Sequence, residues 1–371
     1  MRSWRRWLTR LGVFGTILLL AGCGRDDVSA LQPKGPAADD ARFLIVLTSG
    51  VMILVLLVVF VLYTYALIRF RWKGQKEYPK QVEGNMKLEI LWTVIPFILL
   101  IIIGTPTLVY TFKLDRDHTN DPETLKVKVT AHQFWWEFEY PDYKLKTAQE
   151  VVIPVGKKVA FQLESADVIH SFWVPSLGGK KDANPGLTQT LTLQADEPGV
   201  YQGQCAELCG LSHANMYFRV KAVSQEEFDR WVADMQRPPQ VALSDKAKQG
   251  EQIFKQSCLV CHAAYVTDDA TGQMKLSGGS AGPSLVNVAD RETIAGILLN
   301  RAHGEADVDP AKVRENLTVW LKDPQSVKPG NLMPNVQNVE GSKMEYTVAG
   351  GPLSDEQLEA LVEFLMAQKQ Q

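Results

Sequence analysis

The stretch Cys205-Ala-Glu-Leu-Cys209-Gly-Leu-Ser-His213-Ala-Asn-Met216 brings two thiols, an imidazole and a thioether into one short segment, with the spacing C-x3-C-x3-H-x2-M. Such soft ligands favour copper over harder metals, and two thiolates spaced in this way can bridge the same pair of ions. A second imidazole must then come from elsewhere in the chain, and His170 is the candidate. The alternative is a disulfide between Cys205 and Cys209, which an oxidising compartment would allow.

A second cysteine motif, Cys258-Leu-Val-Cys261-His262, has the C-x-x-C-H spacing in which two thioethers attach haem c and the histidine binds its iron. The later segment Asn-Leu-Met333-Pro-Asn offers a loop methionine of the kind that completes His/Met ligation and raises the haem potential. Two other methionines compete for that role, although any of the three could simply fill a core: Met274 and Met344. A zinc site is less consistent, because no second C-x-x-C or H-x3-H pair is present.

The remaining cysteine, Cys23, ends an N-terminal targeting segment. Four arginines form a basic start, namely Arg2, Arg5, Arg6 and Arg10. An apolar run over residues 11–20 and the small residues Ala21 and Gly22 follow. This pattern resembles a bacterial lipoprotein signal, which predicts that residues 1–22 are removed and that Cys23 becomes a lipid-bearing N-terminus outside the plasma membrane. The alternative is an uncleaved signal anchor with an unmodified cysteine.

Residues 23–112 are predicted to form an N-terminal segment and a transmembrane hairpin, with spans at about 43–68 and 90–112. At ~1.5 Å per residue, each span is long enough to cross a hydrocarbon core of ~30 Å. The loop between them is basic: Arg69, Arg71, Lys73, Lys76, Lys80 and Lys87. By the positive-inside rule this loop is cytoplasmic, so both ends of the chain are expected on the outer face. Pro96 and Pro106 within the second span indicate packing against other membrane helices.

Glu89 lies at the cytoplasmic start of the second span. As a solvated interfacial residue, a carboxylate there can interact favourably with the positive end of the helix dipole. It can also feed protons into a partner's channel, since ionisable groups at membrane segments often mark proton relays. Both interpretations remain open from the residues alone.

Residues 113–222 are predicted to form an all-β domain, a Greek-key sandwich or barrel, because β-branched and aromatic segments alternate with turn signals. The predicted strands cover residues 125–131, 134–140, 150–154, 158–163, 186–193, 199–202 and 216–220. His170 falls in the segment 167–175, predicted as a loop that converges with the Cys205 loop at one end of the barrel. Taken alone, His170 could equally be a loop histidine with its own hydrogen bonds.

Residues 223–243 are predicted to form a helix at 224–236 and a stiff linker marked by Pro238 and Pro239. Residues 244–371 are predicted to form an all-α haem domain of ordinary size. Helical patterns precede C-x-x-C-H and recur at 290–300, 315–321 and 353–369, the last capped by Ser354.

Together these residues resemble subunit II of a haem-copper cytochrome c oxidase, of the bacterial caa3-type in which a cytochrome c domain is fused to the C-terminus. The resemblance extends over nearly the whole chain after Cys23. It rests on Glu89-Ile-Leu-Trp-Thr-Val-Ile-Pro96, on the aromatic strand Ala131-His-Gln-Phe-Trp-Trp-Glu-Phe-Glu-Tyr140, and on both copper loops. It implies a multidomain membrane protein with a transmembrane hairpin, a cupredoxin-like barrel and a cytochrome c domain.

The resemblance also implies specific ligands. Binuclear CuA would be held by His170, Cys205, Cys209, His213, Met216 and the backbone carbonyl of Glu207. The Glu207 side chain matches a ligand of a magnesium ion shared with subunit I, and Glu89 matches the entrance of a proton channel.

The chain departs from the family pattern at Phe134, where many relatives have the tryptophan through which electrons from soluble cytochrome c enter CuA. This difference supports the hypothesis that the fused haem, bound by His262 and Met333, is the immediate donor to CuA. Leu187 likewise replaces an arginine common in the family, a difference that concerns a contact with subunit I. The alternative for Phe134, Trp135 and Trp136 is hydrophobic packing within the barrel.

The predicted function is the electron-entry subunit of a terminal oxidase, part of a complex that reduces oxygen and pumps protons, and inactive in oxygen reduction alone. Expected partners are subunit I, other membrane subunits, and cytochrome c or a quinol-cytochrome c reductase as donor. A CuA-containing nitric oxide reductase and an external copper-binding lipoprotein are the alternatives, although the latter would need neither haem nor a second span. The net charge is -3 and the basic residues cluster beside the spans, which argues against nucleic-acid binding.

Overall fold

The computed structural model describes residues 25–71, 83–239, 242–301, 307–337 and 351–369, together with positions 10, 12, 15 and 81. Some residues discussed above lie outside the described residues: most of the segment ending at Cys23, the lysines at 73, 76 and 80, and Met344. The described chain runs from a pair of long helices through a β domain to a mainly helical C-terminal region.

Two apolar helices follow the N-terminal segment, α1 (Pro36–Arg69) and α2 (Met86–Leu114), and both are long and apolar enough to cross a membrane. The two predicted spans are therefore confirmed as helices that extend beyond the predicted bounds. The Asn85 side chain caps α2 by accepting hydrogen bonds from the backbone N–H groups of Lys87 and Leu88. Glu89 accepts in return from the Asn85 backbone N–H at 3.3 Å, so it helps to begin the helix.

Ion pairs join the two helices to each other and the end of the hairpin to the β domain. Lys113 in α2 pairs with Asp40 in α1 at 2.6 Å, and Asp115 just after α2 pairs with Lys181 at 2.8 Å. The backbone at Gly35 lies so close to the β domain that an added Cβ would be 1.9 Å from the Gln194 carbonyl oxygen. Because a side chain cannot fit there, glycine allows the chain to pass directly from the domain into α1.

The β domain consists of two five-stranded sheets packed face to face, with orders β3-β2-β1-β5-β8 and β4-β10-β9-β6-β7. Their strands are β1 (Leu125–His132), β2 (Trp135–Tyr140), β3 (Leu145–Ala148), β4 (Glu150–Pro154), β5 (Val159–Ser165), β6 (His170–Trp173), β7 (Lys181–Ala183), β8 (Gln189–Leu193), β9 (Gly199–Cys205) and β10 (Tyr217–Val223). The pairs β1–β5 and β4–β10 are parallel and the other pairs are antiparallel. This architecture confirms the predicted cupredoxin-like β domain.

Aromatic side chains from both sheets fill the space between them. Strand β2 buries Trp136, Phe138 and Tyr140 in strict alternation, as its period-two pattern requires. The rings of Phe172 and Phe218 stack with centroids 4.6 Å apart. Burial of each such side chain contributes about 1.5–3 kcal/mol. The burial of Trp136 therefore agrees with its interpretation as hydrophobic packing within the barrel.

Three strands were not predicted, β3, β6 and β7, and the placement of His170 in a loop is wrong. His170 is the first residue of β6 and is fully buried, as are Ser171 and Phe172 after it. The segment buries polar and apolar side chains alike, so it lacks the alternation by which a half-buried strand is recognised.

The C-terminal region contains the helices α3 (Gln225–Met235), α4 (Asp245–Ser257), α5 (Pro310–Lys322), α6 (Pro324–Val327) and α7 (Asp355–Met366). Serines cap three of them at their N-termini: Ser224, Ser244 and Ser354. Helices α4 and α7 cross closely at Gly250, where an added Cβ would lie 1.9 Å from the Ala360 carbonyl oxygen. The helical character predicted for this region is confirmed.

The helix predicted at 290–300 is wrong. That segment forms a tight pair of strands, β13 (Thr293–Ile294) and β14 (Leu298–Leu299), after a single helical turn. Ala295 and Gly296 between them have φ values of 54° and 79°, which a right-handed helix cannot contain. A second pair follows the C-x-x-C-H motif, formed by β11 (Ala264–Thr267) and β12 (Met274–Ser277).

Candidate metal centre and haem site

Six potential donor atoms from two separate segments converge at one end of the β domain. The sulfur atoms of Cys205 and Cys209 lie 3.8 Å apart. The Nδ1 atom of His170 is 3.8 Å from the Cys205 sulfur, and that of His213 is 3.6 Å from the Cys209 sulfur. The Met216 thioether lies 3.8 Å from Cys209. The structure thus brings together every side chain predicted for the copper site.

The carbonyl oxygen of Glu207 completes the cluster, 3.3 Å from the Cys205 sulfur. The Glu207 side chain itself is exposed. Both cysteines are free thiols, so the structure does not have the alternative disulfide between them.

Strand pairing explains why these donors meet. Cys205 ends β9, where it lies opposite Phe172 of β6 and so beside His170. The segment from Cys205 to Met216 is the connection between β9 and β10, closed by a hydrogen bond from the Cys205 N–H to the Met216 carbonyl at 3.0 Å. Gly210 has φ of +131° within this connection, where few other residues fit.

Four of the five donor side chains are shielded from water, and His213 is half-buried. Exposed fractions are 0% for His170, 7% for Cys205, 4% for Cys209 and 1% for Met216. The hydrogen bond between the two sulfur atoms lowers the pKa of Cys205 and raises that of Cys209. A metal ion held by both sulfur atoms would replace the protons of both thiols.

Asp167 orients His170. Its carboxylate Oδ1 lies 2.8 Å from the His170 Nε2, which leaves Nδ1 facing the thiols. The same carboxylate accepts hydrogen bonds from the N–H groups of Gln133 at 2.7 Å and Val168 at 2.6 Å. Burial lowers the pKa of His170, but its hydrogen bonds with Cys205 and Asp167 outweigh burial and raise the pKa. Sequence reasoning missed this role of Asp167; a carboxylate three residues before a candidate ligand was the available signal.

Substitution of Asp167 by asparagine is therefore expected to weaken copper binding by about tenfold or more, because partners behind a metal-binding histidine typically contribute ~10–100-fold to affinity. The affinity would be measured by competition with a copper chelator. Asp142→Asn, at an exposed carboxylate after β2, is the matched control and should leave the affinity unchanged. Equal affinities for the two variants would contradict this role of Asp167.

The C-x-x-C-H motif lies at the end of α4, with Cys258 partly buried against the apolar core of the C-terminal region and Cys261 exposed. Both thiols are free. The His262 Nδ1–H donates to the Pro283 carbonyl at 2.8 Å, which leaves Nε2 available as a ligand. Burial lowers the pKa of His262, which keeps the imidazole neutral as ligation requires.

Two further observations fit a haem at this motif. An added Cβ at Gly282 would lie 2.6 Å from the His262 ring, so only glycine at position 282 leaves room for that ring. Met333 is partly buried and packs against the same apolar cluster as Cys258. The rival Met274 lies in β12 outside that cluster. Of the two described candidates, Met333 is therefore the better placed to serve with His262 as a ligand of a haem.

The donor chemistry thus matches two different groups. Two thiols, two imidazoles, a thioether and a carbonyl in mutual contact fit a pair of bridged copper ions. A free thiol pair, a neutral imidazole and a methionine on an apolar core fit one covalent haem c. Within the described residues, His170, Cys205 and Cys209 also form a group that could hold a metal ion by position alone.

Comparison with known proteins gives matches to three family models along the chain. They are the transmembrane domain of cytochrome c oxidase subunit II at residues 35–110, the periplasmic domain of the same subunit at 144–223, and cytochrome c at 247–369. Their order is that of the hairpin, the β domain and the helical region described above.

Curated relatives match over almost their entire length. Cytochrome c oxidase subunit 2 of Alkalihalophilus pseudofirmus is 44% identical over 356 residues, which cover 94% of this chain and 97% of the relative. The same subunit of a Bacillus species is 43% identical and covers 99% of this chain and 98% of the relative. The crystal structure of the periplasmic domain of subunit II from Bradyrhizobium japonicum is 37% identical, with a TM-score of 0.29, over 30% of this chain and 93% of that one. The chain therefore belongs to the cytochrome c oxidase subunit 2 family, in the form with a C-terminal cytochrome c domain.

Proposed function

We propose that this chain is the electron-entry subunit of a terminal oxidase and that it holds two redox groups. Haem c would be held by Cys258, Cys261, His262 and Met333. Binuclear CuA would be held by His170, Cys205, Cys209, His213, Met216 and the carbonyl of Glu207. When bound, haem c accepts electrons from a donor and CuA delivers them to subunit I, where oxygen is reduced and protons are pumped.

The convergence of the six copper donors is the observation that carries this proposal. His170 and Cys205 are 35 positions apart in sequence, yet the β6–β9 pairing brings their donor atoms within 3.8 Å. The loop that carries four of the five ligand side chains is closed by the hydrogen bond from the Cys205 N–H to the Met216 carbonyl. Their spacing can therefore stay nearly constant when the charge of the site changes, which keeps the reorganisation that accompanies electron transfer small.

The order of the two groups can be tested by rapid mixing of the purified oxidase complex with reduced cytochrome c. Absorbance would be followed separately for haem c and for copper. We expect haem c to be reduced first and copper afterwards, with oxygen consumed under turnover. Copper reduction before haem c would contradict the order. Consumption of nitric oxide in place of oxygen would assign the complex to the alternative reductase.

The donor and the orientation are also part of the proposal. Cytochrome c, or a quinol-cytochrome c reductase, would supply electrons on the outer face of a bacterial plasma membrane. The basic loop between the spans supports that orientation. Protease added to intact spheroplasts should cleave the β and haem domains, whereas full protection of both would overturn it. Mass spectrometry of the mature N-terminus tests lipidation at Cys23, which an unmodified Met1 start would exclude.

Two carboxylates, Glu89 and Glu207, are also part of the proposal. Glu89 contacts the start of α2, which supports a role in helix capping, and its role at a proton-channel entrance is tested by proton pumping in Glu89→Gln. Unchanged pumping would reject that role. The exposed Glu207 side chain is free to reach a magnesium ion shared with subunit I. Manganese substituted for magnesium should lose its EPR signature in Glu207→Ala if that ligation exists.

A further inference from the structure

The loop that carries Met333 packs directly on the loop that carries the copper ligands. The Ser212 hydroxyl, beside His213, donates to the Pro329 carbonyl at 2.7 Å. At Gly330 an added Cβ would lie 2.9 Å from the Leu211 side chain, so the two loops touch closely there. The predicted haem and copper sites thus share an interface built from their own ligand loops.

Lys328 is the buried centre of this interface. Its side chain is 2% exposed, and its ammonium group donates to the Phe134 carbonyl at 2.7 Å. Burial lowers the pKa of Lys328 to about 7, while the nearby Cys209 opposes that effect. Burial of a lysine is costly, and such residues are seldom buried without a partner. A role in holding the two domains together would explain the burial of Lys328.

Phe134 connects Lys328 to the copper loop. Its ring packs on Gly210, where an added Cβ would lie 3.1 Å from the ring. The side chain of the preceding residue, Gln133, donates to the Cys209 carbonyl at 2.5 Å. The residue that Lys328 contacts is therefore next in sequence to the residue whose side chain binds the Cys209 backbone.

On its other side Lys328 belongs to a tightly bonded loop. The Asn331 amide donates to the carbonyls of Lys328 at 2.7 Å and Pro324 at 3.0 Å. The Met333 N–H in turn donates to the Asn331 side-chain oxygen at 2.8 Å. Because these bonds hold the loop in one conformation, Lys328 and Met333 keep their relative positions, and the contact of Lys328 with Phe134 places the loop as a whole.

A second contact between the same domains lies apart from this loop. The backbone N–H of Glu292 donates to the Glu150 carboxylate at 3.0 Å, and both side chains are buried. Glu292 is also paired with Arg301 at 2.6 Å. Two separate contacts restrict rotation of the haem domain about either one.

We propose that Lys328 is a positioning residue that pins the Met333 loop to Phe134, and so holds the haem domain against the copper loop for direct electron transfer. The inference rests on the proposed function for the two redox groups. It adds that the distance between the two redox groups is set by docking of the haem domain on the copper loop, and not only by the linker at Pro238 and Pro239.

The test compares Lys328→Met with the unchanged chain in the full complex. Methionine keeps most of the apolar length and removes the cationic donor. Loss of one hydrogen bond from a buried charged group is expected to shift the docked fraction by about tenfold or more. Electron transfer from haem c to copper should slow by about that factor, and amide hydrogen exchange over residues 328–333 should speed up. Lys312→Met, at an exposed lysine of α5, is the matched control.

Three further readouts separate docking from general damage. Metal content, the haem potential and the rate at which the donor reduces haem c should be the same in both variants and in the unchanged chain. If Lys328→Met fails to load its metals, Ser212→Ala tests the same interface from the copper side. An unchanged rate of haem-to-copper electron transfer, together with unchanged amide hydrogen exchange, in Lys328→Met or Ser212→Ala would overturn the docking role. Absence of haem-to-copper transfer in the unchanged chain would instead contradict the proposed function.

Discussion

Replacing Cys205 by serine is expected to remove bound copper from the chain and to block electron entry into the complex. The Cys205 sulfur contacts His170, Cys209 and the Glu207 carbonyl, so its loss breaks the centre of the donor cluster. A residue behind a metal ligand typically contributes ~10–100-fold to affinity, and a residue that would bind the metal directly should contribute more. Copper content and the oxidase rate with reduced cytochrome c are the measurements.

Haem serves as the internal control for this variant. The C-x-x-C-H motif lies in a different domain with its own apolar core, so iron content and the haem spectrum should stay unchanged. Retention of both copper ions in Cys205→Ser would show that the cluster binds metal through other donors, and would contradict the proposed site.

The converse double substitution, Cys258→Ser with Cys261→Ser, is expected to abolish covalent haem and to leave copper in place. Since both attachment points are lost, no thioether can form. We expect electron entry from soluble cytochrome c to fall by at least about tenfold, because the proposed immediate donor to copper is gone. Iron and copper content are measured together with the oxidase rate.

These serine substitutions are preferable to deletion of residues 244–371. Deletion would also remove Lys328 from Phe134 and Pro329 from Ser212, and so expose the copper loop. A chain with copper but without haem that accepts electrons from soluble cytochrome c at the full rate would contradict the relay.

The convergence of the predicted donor side chains could be anticipated because four of the five lie in one short segment, and metal chemistry dictates which residue types must meet in a copper site. His170 was selected because the site needed a second imidazole, although its strand was not recognised. The pairing of β6 with β9 that delivers it depends on long-range contacts and leaves no local signature.

Other features depend on tertiary structure more completely. The contact of Lys328 with Phe134 joins residues 194 positions apart, and nothing near either residue predicts it. The wrong prediction of a helix at 290–300 shows that tertiary contacts can also override a clear local pattern. Its apolar spacing resembled a helical face, but Ala295 and Gly296 take left-handed conformations and the segment packs as a tight turn. Local periodicity was a weaker constraint there than contact with the β domain at Gly296, where an added Cβ would lie 2.5 Å from the Tyr217 carbonyl oxygen.

The most direct measurement of the central claim is the copper and iron content of the detergent-purified chain, matured in a host that attaches haem c and then loaded with copper. We expect about two copper ions and one haem iron per chain, as the two donor sets predict. One iron without copper, together with a disulfide between Cys205 and Cys209, would contradict the relay and leave a membrane-bound cytochrome with a disulfide-bonded β domain.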